Sequence, residues 1–312
     1  INPFIEARKI NAHGDWITYD VNNVKFRNGS FYDNINYNNQ AEAIEDIKNY
    51  DLIIDCTGRN EILHFLSYAV PEADIVSLCI TNHANELLCV TSRDGNPFEL
   101  RKAYLSRIEQ DTRNFYIEGS GCYSPTFLAK NCDIISLVNL AIRELDTNME
   151  EGKLMHSTVF SHTRRGVLAD RIETYRLKGY DIILNIPNEI LLDAEEMEDV
   201  EEGNIGYILG SYSASRTQIM VTHIIEAYSA QDKLTEVFNM SNGIIDYIGD
   251  YAYSGEEKGT FQHNSLEILN SKATDESINT NNPLLVVRNQ DGTISFFLYI
   301  NNELVAFDKE DI

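Results

Sequence analysis

The stretch 51–58 constrains the fold of this chain most, because it joins a strand-like run to a polar turn. Residues 52–54 are apolar and favour a β-strand. Asp55 follows them, at the start of a turn that contains Thr57 and Gly58. The residues that follow carry apolar side chains at helical spacing, so the unit is predicted to be strand, turn and helix. This order is typical of a parallel α/β sheet, in which ligands bind at the carboxyl ends of the strands.

Asp55 has two interpretations. A carboxylate at the end of a strand is a preferred ligand of magnesium, and with a complete nucleotide site Asp55 could hold the metal of a nucleoside triphosphate. The same carboxylate could instead cap the helix or stabilise the turn. Under either interpretation, Thr57 and Gly58 shape the backbone. The residues alone leave both open.

Other stretches extend the pattern over about residues 1–150. They resemble the adenylation domain of the ubiquitin-activating (E1, ThiF/MoeB-like) family. The stretches that carry the resemblance are 1–5 (Ile-Asn-Pro-Phe-Ile), the Asp-Cys-Thr-Gly turn at 55–58, the strand-like runs 73–80 and 87–91, and 121–127 (Gly-Cys-Tyr-Ser-Pro-Thr-Phe). The resemblance implies a Rossmann-like fold with a site for ATP and magnesium at Asp55, Thr57 and Gly58.

The glycine-rich phosphate turn of that family is missing from this sequence. It belongs to a first βαβ unit of about 30 residues, which should come before Ile1. The family's basic triphosphate ligands also belong upstream of Ile1. We therefore expect the chain to be a fragment or a processed form that carries at best half of a nucleotide site.

Cys122 also has two interpretations. It lies beside Gly119 and Gly121, in a stretch flexible enough to present a thiolate nucleophile. In activating enzymes, a cysteine accepts the adenylated tail as a thioester. A structural cysteine at a tight turn would give the same pattern. The other four cysteines form no Cys-x-x-Cys pair and are predicted to be reduced core residues.

Composition narrows the class of protein. The formal net charge of −24 opposes binding to nucleic acid. The sequence contains neither a run of about eighteen apolar residues nor a secretion signal, so we expect a cytoplasmic protein without a membrane span. The pair Arg164 and Arg165, near His162, could bind a phosphate or belong to a solvated linker.

In the second half, the order of predicted strands and helices is different. It indicates an α+β domain over 179–312 after a connecting segment at 151–178. A helix is predicted at 187–197, where a proline begins the first turn. Asn-Gln-Asp-Gly at 289–292 is a hairpin signal. The predicted strands are 180–186, 206–210, 218–225, 246–250, 284–288, 294–300 and an edge strand at 304–307.

This order resembles the JAB/MPN family of zinc isopeptidases, which cut ubiquitin-like tails. The resemblance rests on the glycine-bracketed strand 206–210 and the strands at 221–227 and 247–250. The family's zinc-binding histidines are replaced at 251–254, and a catalytic zinc needs three protein ligands. His263 is a lone imidazole nearby, and Glu201 and Glu202 have no zinc-bound water to deprotonate. We expect no zinc, and a domain that binds a ubiquitin-like tail at a sheet edge without cutting it.

The sequence thus predicts a Rossmann-like α/β domain, incomplete at its N-terminus, followed by a metal-free JAB/MPN-like domain. The predicted function is that of a component of a bacterial-type ubiquitin-like conjugation system, which adenylates the ubiquitin-like C-terminus when its first domain is complete. The predicted partners are a ubiquitin-like protein and an E2-like protein, and a homodimer is compatible with the family. A non-catalytic scaffold is the alternative, and a nicotinamide-dependent dehydrogenase explains only the Rossmann-like strands.

Overall fold

The computed structural model describes residues 6–10, 16–20, 44–107, 130–196, 203–226, 236–253 and 284–309, apart from positions 46, 238, 240, 242, 243, 290 and 302. Strands β1 (Glu6–Ile10) and β2 (Trp16–Asp20) form an antiparallel pair of their own. All the other described strands belong to one twelve-stranded sheet.

The first part of this sheet is a layer between helices. Its strands are β3 (Leu52–Asp55), β4 (Asp74–Thr81), β5 (Glu86–Thr91), β6 (Thr158–Thr163) and β7 (Gly166–Leu177), which pair in chain order. Strand β3 runs parallel to β4, whereas β4, β5, β6 and β7 pair antiparallel. Only one of these four pairs is therefore of the parallel type.

Helices cover both faces of this layer. Helices α1 (Asn60–Ala69) and α2 (Pro97–Leu105) pack on one face, over a core that includes Leu63, Val90 and Leu100. Helix α3 (Asn131–Glu150) packs on the other face through Leu137 and Ala141. The apolar positions of α3 recur at helical spacing, as predicted for 134–145, and the helix extends beyond those bounds at both ends.

The second part of the sheet closes on itself. After β8 (Ile183–Pro187) and helix α4 (Asn188–Glu196) come β9 (Gly203–Tyr212), β10 (Gln218–Glu226), β11 (Asp246–Tyr253), β12 (Leu284–Arg288), β13 (Ile294–Ile300) and β14 (Glu303–Lys309). The strand order is β7, β8, β10, β9, β11, β12, β13, β14, and β14 pairs with β7 again. This gives a closed barrel of eight strands, mixed because β10 with β8 and β11 with β12 are parallel.

The predicted fold class, a Rossmann-like domain followed by a JAB/MPN-like domain, is therefore wrong. A Rossmann-like sheet is mostly parallel, whereas four of the first five strands here pair antiparallel. The second half is a closed barrel rather than an open α+β sheet. Strand β14, predicted as an edge strand at 304–307, is paired on both sides, with β13 and with β7.

Strand β7 joins the two parts of the sheet. Its first half, Gly166 to Arg171, pairs with β6. Its second half pairs with β8 on one side and, through Tyr175 to Leu177, with β14 on the other. The stretch 151–178, predicted as a connecting segment, thus contains β6 and β7. The predicted division of the chain into domains stays a prediction.

The glycines at 206, 210 and 249 have a packing role in the barrel. A Cβ atom built on Gly249 would lie 1.8 Å from the backbone oxygen of Leu284 in the neighbouring strand. A Cβ on Gly210 would lie 2.1 Å from the backbone oxygen of Met220. These strands approach so closely that only glycine fits, which explains the glycine-bracketed pattern without a catalytic role.

Candidate functional site

The predicted site at the end of β3 has Asp55 at its centre. The side chain is almost fully buried, with 3% of its residue surface exposed. Its Oδ1 accepts hydrogen bonds from the backbone N–H of Thr57 at 3.0 Å and from the Thr57 hydroxyl at 2.7 Å. Its Oδ2 accepts a hydrogen bond from the Ser77 hydroxyl of β4 at 2.7 Å. Both carboxylate oxygens therefore have partners within the protein.

Arg101, on α2, supplies the positive charge for this carboxylate. Its Nη1 lies 3.8 Å from Asp55 Oδ2, and both side chains are 1% exposed. Its Nη2 donates a hydrogen bond to the backbone oxygen of Gly58. Within the described part of the chain, Nε of Arg101 has no hydrogen-bond acceptor. One buried arginine thus neutralises Asp55 and holds the turn that follows it.

The turn leads directly into α1. Gly58 has a φ of 65°, a left-handed conformation that glycine adopts without steric cost. The Thr57 hydroxyl accepts a hydrogen bond from the backbone N–H of Arg59 at 3.2 Å. Arg59 is the N-cap residue of α1, and its side chain makes no capping hydrogen bond. The first turn of α1 therefore begins without a side-chain cap, beside the Asp55 turn.

Two thiols lie near this turn. Cys56 is exposed to solvent rather than in the core as predicted; partial desolvation still raises its pKa, and the charge of Asp55 raises it further. Burial also raises the pKa of Cys79, against a smaller lowering effect of Arg101. Because only a thiolate is a strong nucleophile, neither thiol is activated. Cys122, the predicted nucleophile, lies outside the described residues.

These contacts determine what the Asp55 site can do in this conformation. To bind magnesium, Asp55 would have to leave its hydrogen bonds to Ser77 and Thr57 and move away from the charge of Arg101. Removing partners from a buried charge is costly, by about 3–5 kcal/mol for a buried ion pair. The geometry therefore favours the second interpretation of Asp55, that of an acid that stabilises the turn.

A second buried polar cluster surrounds Asp94. This residue lies in the turn after β5 and is fully buried. Its Oδ1 accepts from Nδ1 of His156 at 2.8 Å and from the Thr174 hydroxyl at 2.9 Å. Nη2 of Arg171 lies 2.8 Å from Nε2 of His156 and donates to it, so the imidazole is neutral with its proton on Nδ1. Asp–His pairs of this kind orient catalytic bases. Here, however, the hydrogen bond from Arg171 uses Nε2 of His156, the nitrogen that would accept a proton from a substrate.

The Asp94 cluster was not predicted, and no local motif could have revealed it. Asp94 and His156 are separated by 62 positions in the sequence. Asn185 extends the cluster into β8, because its Nδ2 donates to the backbone oxygen of Asp94 at 3.1 Å. Gln218 extends it into β10, donating to Oδ1 of Asn185 at 3.0 Å. The cluster therefore joins the layered part of the sheet to the barrel.

A third group of ionisable side chains lies around Arg107, just after α2. Nη2 of Arg107 forms an ion pair with Glu189 at the start of α4. The backbone N–H of Glu189 donates to Asp170 at 3.3 Å, and burial is the main cause of the raised pKa of Asp170. Burial, with a smaller effect of Arg107, lowers the pKa of His223 to about 4. His223 is therefore a neutral imidazole near neutral pH.

The remaining predicted positions have structural roles or lie outside the described residues. Tyr251, at a replaced zinc-ligand position, is fully buried and donates its hydroxyl to the backbone oxygen of Ala194 at 2.7 Å. Arg164 and Arg165 form the exposed turn between β6 and β7. His162 donates to the backbone oxygen of Asp133 at 3.0 Å. The positions 201, 202 and 263 lie outside the described residues.

The described residues show neither a metal cluster nor a membrane-spanning helix. Among them, no group of three or more His, Cys, Asp or Glu side chains is arranged to hold a metal ion. Within the same residues, no helix combines the length and apolar character needed to cross a membrane.

Comparison with known proteins gives no family for this chain. No family model matches it, and no curated protein matches it. The resemblances to the E1-like and JAB/MPN families therefore stay hypotheses based on the quoted stretches of sequence.

Proposed function

We propose that this chain is a component of a ubiquitin-like conjugation system and that it contributes binding rather than catalysis. The choice of system is supported by the E1-like stretches of the sequence, including the turn at 55–58. The absence of catalysis is supported by one observation, the engagement of Asp55 by Ser77, Thr57 and Arg101. A carboxylate held in this way stabilises the protein and is not presented to a nucleotide.

The outer edge of β3 is the proposed binding position for the tail of the ubiquitin-like protein. The strands of the barrel are paired on both sides, so none of them offers the sheet edge expected from the sequence. Among the described strands of the large sheet, β3 is terminal, with a partner on one side only. An extended tail adds to such an edge through backbone hydrogen bonds.

Hydrogen exchange with a purified ubiquitin-like protein tests this proposal. The backbone amides of residues 52–55 are expected to exchange more slowly when the ubiquitin-like protein carries its intact C-terminal tail. The same protein without its last residues is the matched control and is expected to give no protection. Equal exchange in both samples, at concentrations where the two proteins bind, would exclude β3 as the tail site.

Adenylation of the ubiquitin-like tail, with ATP and magnesium, is the second candidate function. It is favoured by the N-terminus of α1 beside Asp55, where Arg59 supplies no side-chain cap, because backbone N–H groups at a helix start can bind phosphate. It needs a complementary half-site, and Asp55 would have to exchange Ser77 and Arg101 for the metal. An E2-like protein is then the predicted acceptor of the activated tail.

ATP:pyrophosphate exchange in the presence of the ubiquitin-like protein distinguishes the two candidates. The assay uses the chain supplied with the complementary half-site, and the binding role predicts no exchange under this condition. Adenylation predicts exchange that Asp55→Asn abolishes and that Asp74→Asn, a control at an exposed acid of β4, leaves unchanged. Urea unfolding of both variants separates a lost activity from a lost fold.

A further inference from the structure

Helix α3 carries three large apolar side chains that its own protein leaves exposed. Ile135, Ile142 and Met149 are 57%, 52% and 50% exposed. They recur every seven residues, so they form one stripe along the helix beside its buried face. A seven-residue apolar period is the spacing at which one helix packs along another. The stripe therefore has the pattern of a helix–helix contact, and no described helix packs against it.

Within the described residues, the sheet beside α3 is covered only in part by helices. The main contacts of α3 on this face are with β5, β6 and β7, and they do not extend over the β3–β4 end. Leu52 packs at the margin of the core beneath α3, and Ile54, two residues further along β3, points to the same face. Ile54 is 49% exposed. On this face of β4, Val76 is fully buried and Leu78 and Ile80 are partly buried, so the exposed apolar surface of the strip lies mainly at Ile54.

The width of the open strip indicates what fits there. Neighbouring strands lie about 4.8 Å apart, so β3 lies about 10 Å from β5. An α-helix with its side chains is about 10–12 Å wide. We propose that this strip, bounded by the Ile135, Ile142 and Met149 stripe, is the docking slot for one amphipathic helix of a partner protein. The helix would lie on β3 and β4 and pack its apolar face against α3.

The charges around the slot specify the polar flanks of that helix. Exposed acids border it, with Asp51 and Asp74 at the amino ends of β3 and β4 and with Asp146 and Glu150 on α3. The exposed cations of α3 and its N-cap are Arg143 and Lys130. The chain has a formal net charge of −24. The partner helix therefore carries lysine or arginine beside its apolar face, whereas a second copy of this chain would bring acid against acid.

Peptide binding to the full chain tests the slot without assuming the identity of the partner. The probe is a fluorescent helical peptide of about 20 residues, with leucines at heptad spacing and lysines on both flanks. Anisotropy is expected to show binding that Ile142→Ser weakens by about tenfold or more. Leu192→Ser on α4 is the matched control, since Leu192 is also 50% exposed on a helix outside the slot. This control is expected to bind as the unchanged protein does.

Three results would overturn the proposal. Equal weakening by Ile142→Ser and Leu192→Ser would mean that the peptide binds by charge alone. Equal binding of a peptide with the same leucines and glutamates on its flanks would exclude the role of the acidic border. Self-association of the unchanged protein in sedimentation, abolished by Ile142→Ser, would assign the slot to a second copy. Both substitutions lie at half-exposed helix positions, and urea unfolding checks that both variants are folded.

Discussion

His223 makes the stability of this protein depend on pH in a predictable way. The imidazole lies in β10, with Nδ1 3.1 Å from the Thr222 hydroxyl, and its pKa is lowered from 6.5 to about 4 by burial and then by Arg107. In the unfolded chain the imidazole binds a proton as the pH falls below 6.5, whereas in the folded protein it stays neutral. Protonation therefore stabilises the unfolded state.

The sign and the size of the effect follow from this difference. The contribution of His223 to the free energy of unfolding is fully present above the unfolded pKa and is lost as the pH falls toward the folded pKa. Between about pH 7 and pH 5, a shift from 6.5 to about 4 corresponds to a loss of about 2 kcal/mol. His223→Gln removes this titration while keeping a polar side chain of similar length.

Urea unfolding, followed by far-UV circular dichroism, measures the effect as a difference between the two proteins. The free energy of unfolding of the unchanged protein, minus that of His223→Gln, is expected to fall by about 2 kcal/mol between about pH 7 and pH 5. Asp170, whose pKa is raised mainly by burial, is present in both proteins and largely cancels. A difference that stays constant with pH would show that His223 is protonated in the folded state as easily as in the unfolded chain.

Three further substitutions test the packing. Arg101→Met should lower the free energy of unfolding by about 3–5 kcal/mol in urea, because Asp55 is left buried without its cation; a loss below about 1 kcal/mol would refute this. Gly249→Ala should lower the melting temperature strongly, since its Cβ would lie 1.8 Å from the backbone oxygen of Leu284; an unchanged melting temperature would show that β11 and β12 can separate. Leu137→Ala, at a fully buried position, should cost about 2–5 kcal/mol, and a cost near zero would mean that α3 does not cover the sheet through this residue.

Elements defined by local patterns were predicted from the sequence. The strand ending at Asp55, the helix after it and the hairpin at 284–300 lie where apolar spacing and turn residues indicated. The pairing of strands was not predictable in the same way. The parallel or antiparallel direction of β5 and the pairing of β14 with β7 depend on contacts between distant parts of the chain. A local pattern does not encode them.

The candidate site, too, could be predicted only as far as its residues are neighbours in the chain. The sequence predicted that Asp55, Thr57 and Gly58 share one turn, because they are neighbours in the chain. It did not predict Arg101, which is 46 positions after Asp55 and neutralises it from α2. A helical arginine amid apolar residues was the signal available, but arginines usually lie at surfaces. The role of Asp55 depended on that distant residue.

The closure of the barrel has a consequence for how the protein folds. The closing ladder pairs only three residues of each strand, including Leu177 with Phe307, which are 130 positions apart. Because ordering so long a loop costs chain entropy before the ladder forms, closure is expected to be a late and slow event. In the folded protein, so short a ladder is also the place where the barrel is expected to open first. Amides of β14 facing β7 should therefore exchange with solvent sooner than those between β9 and β11, where the ladder is longer.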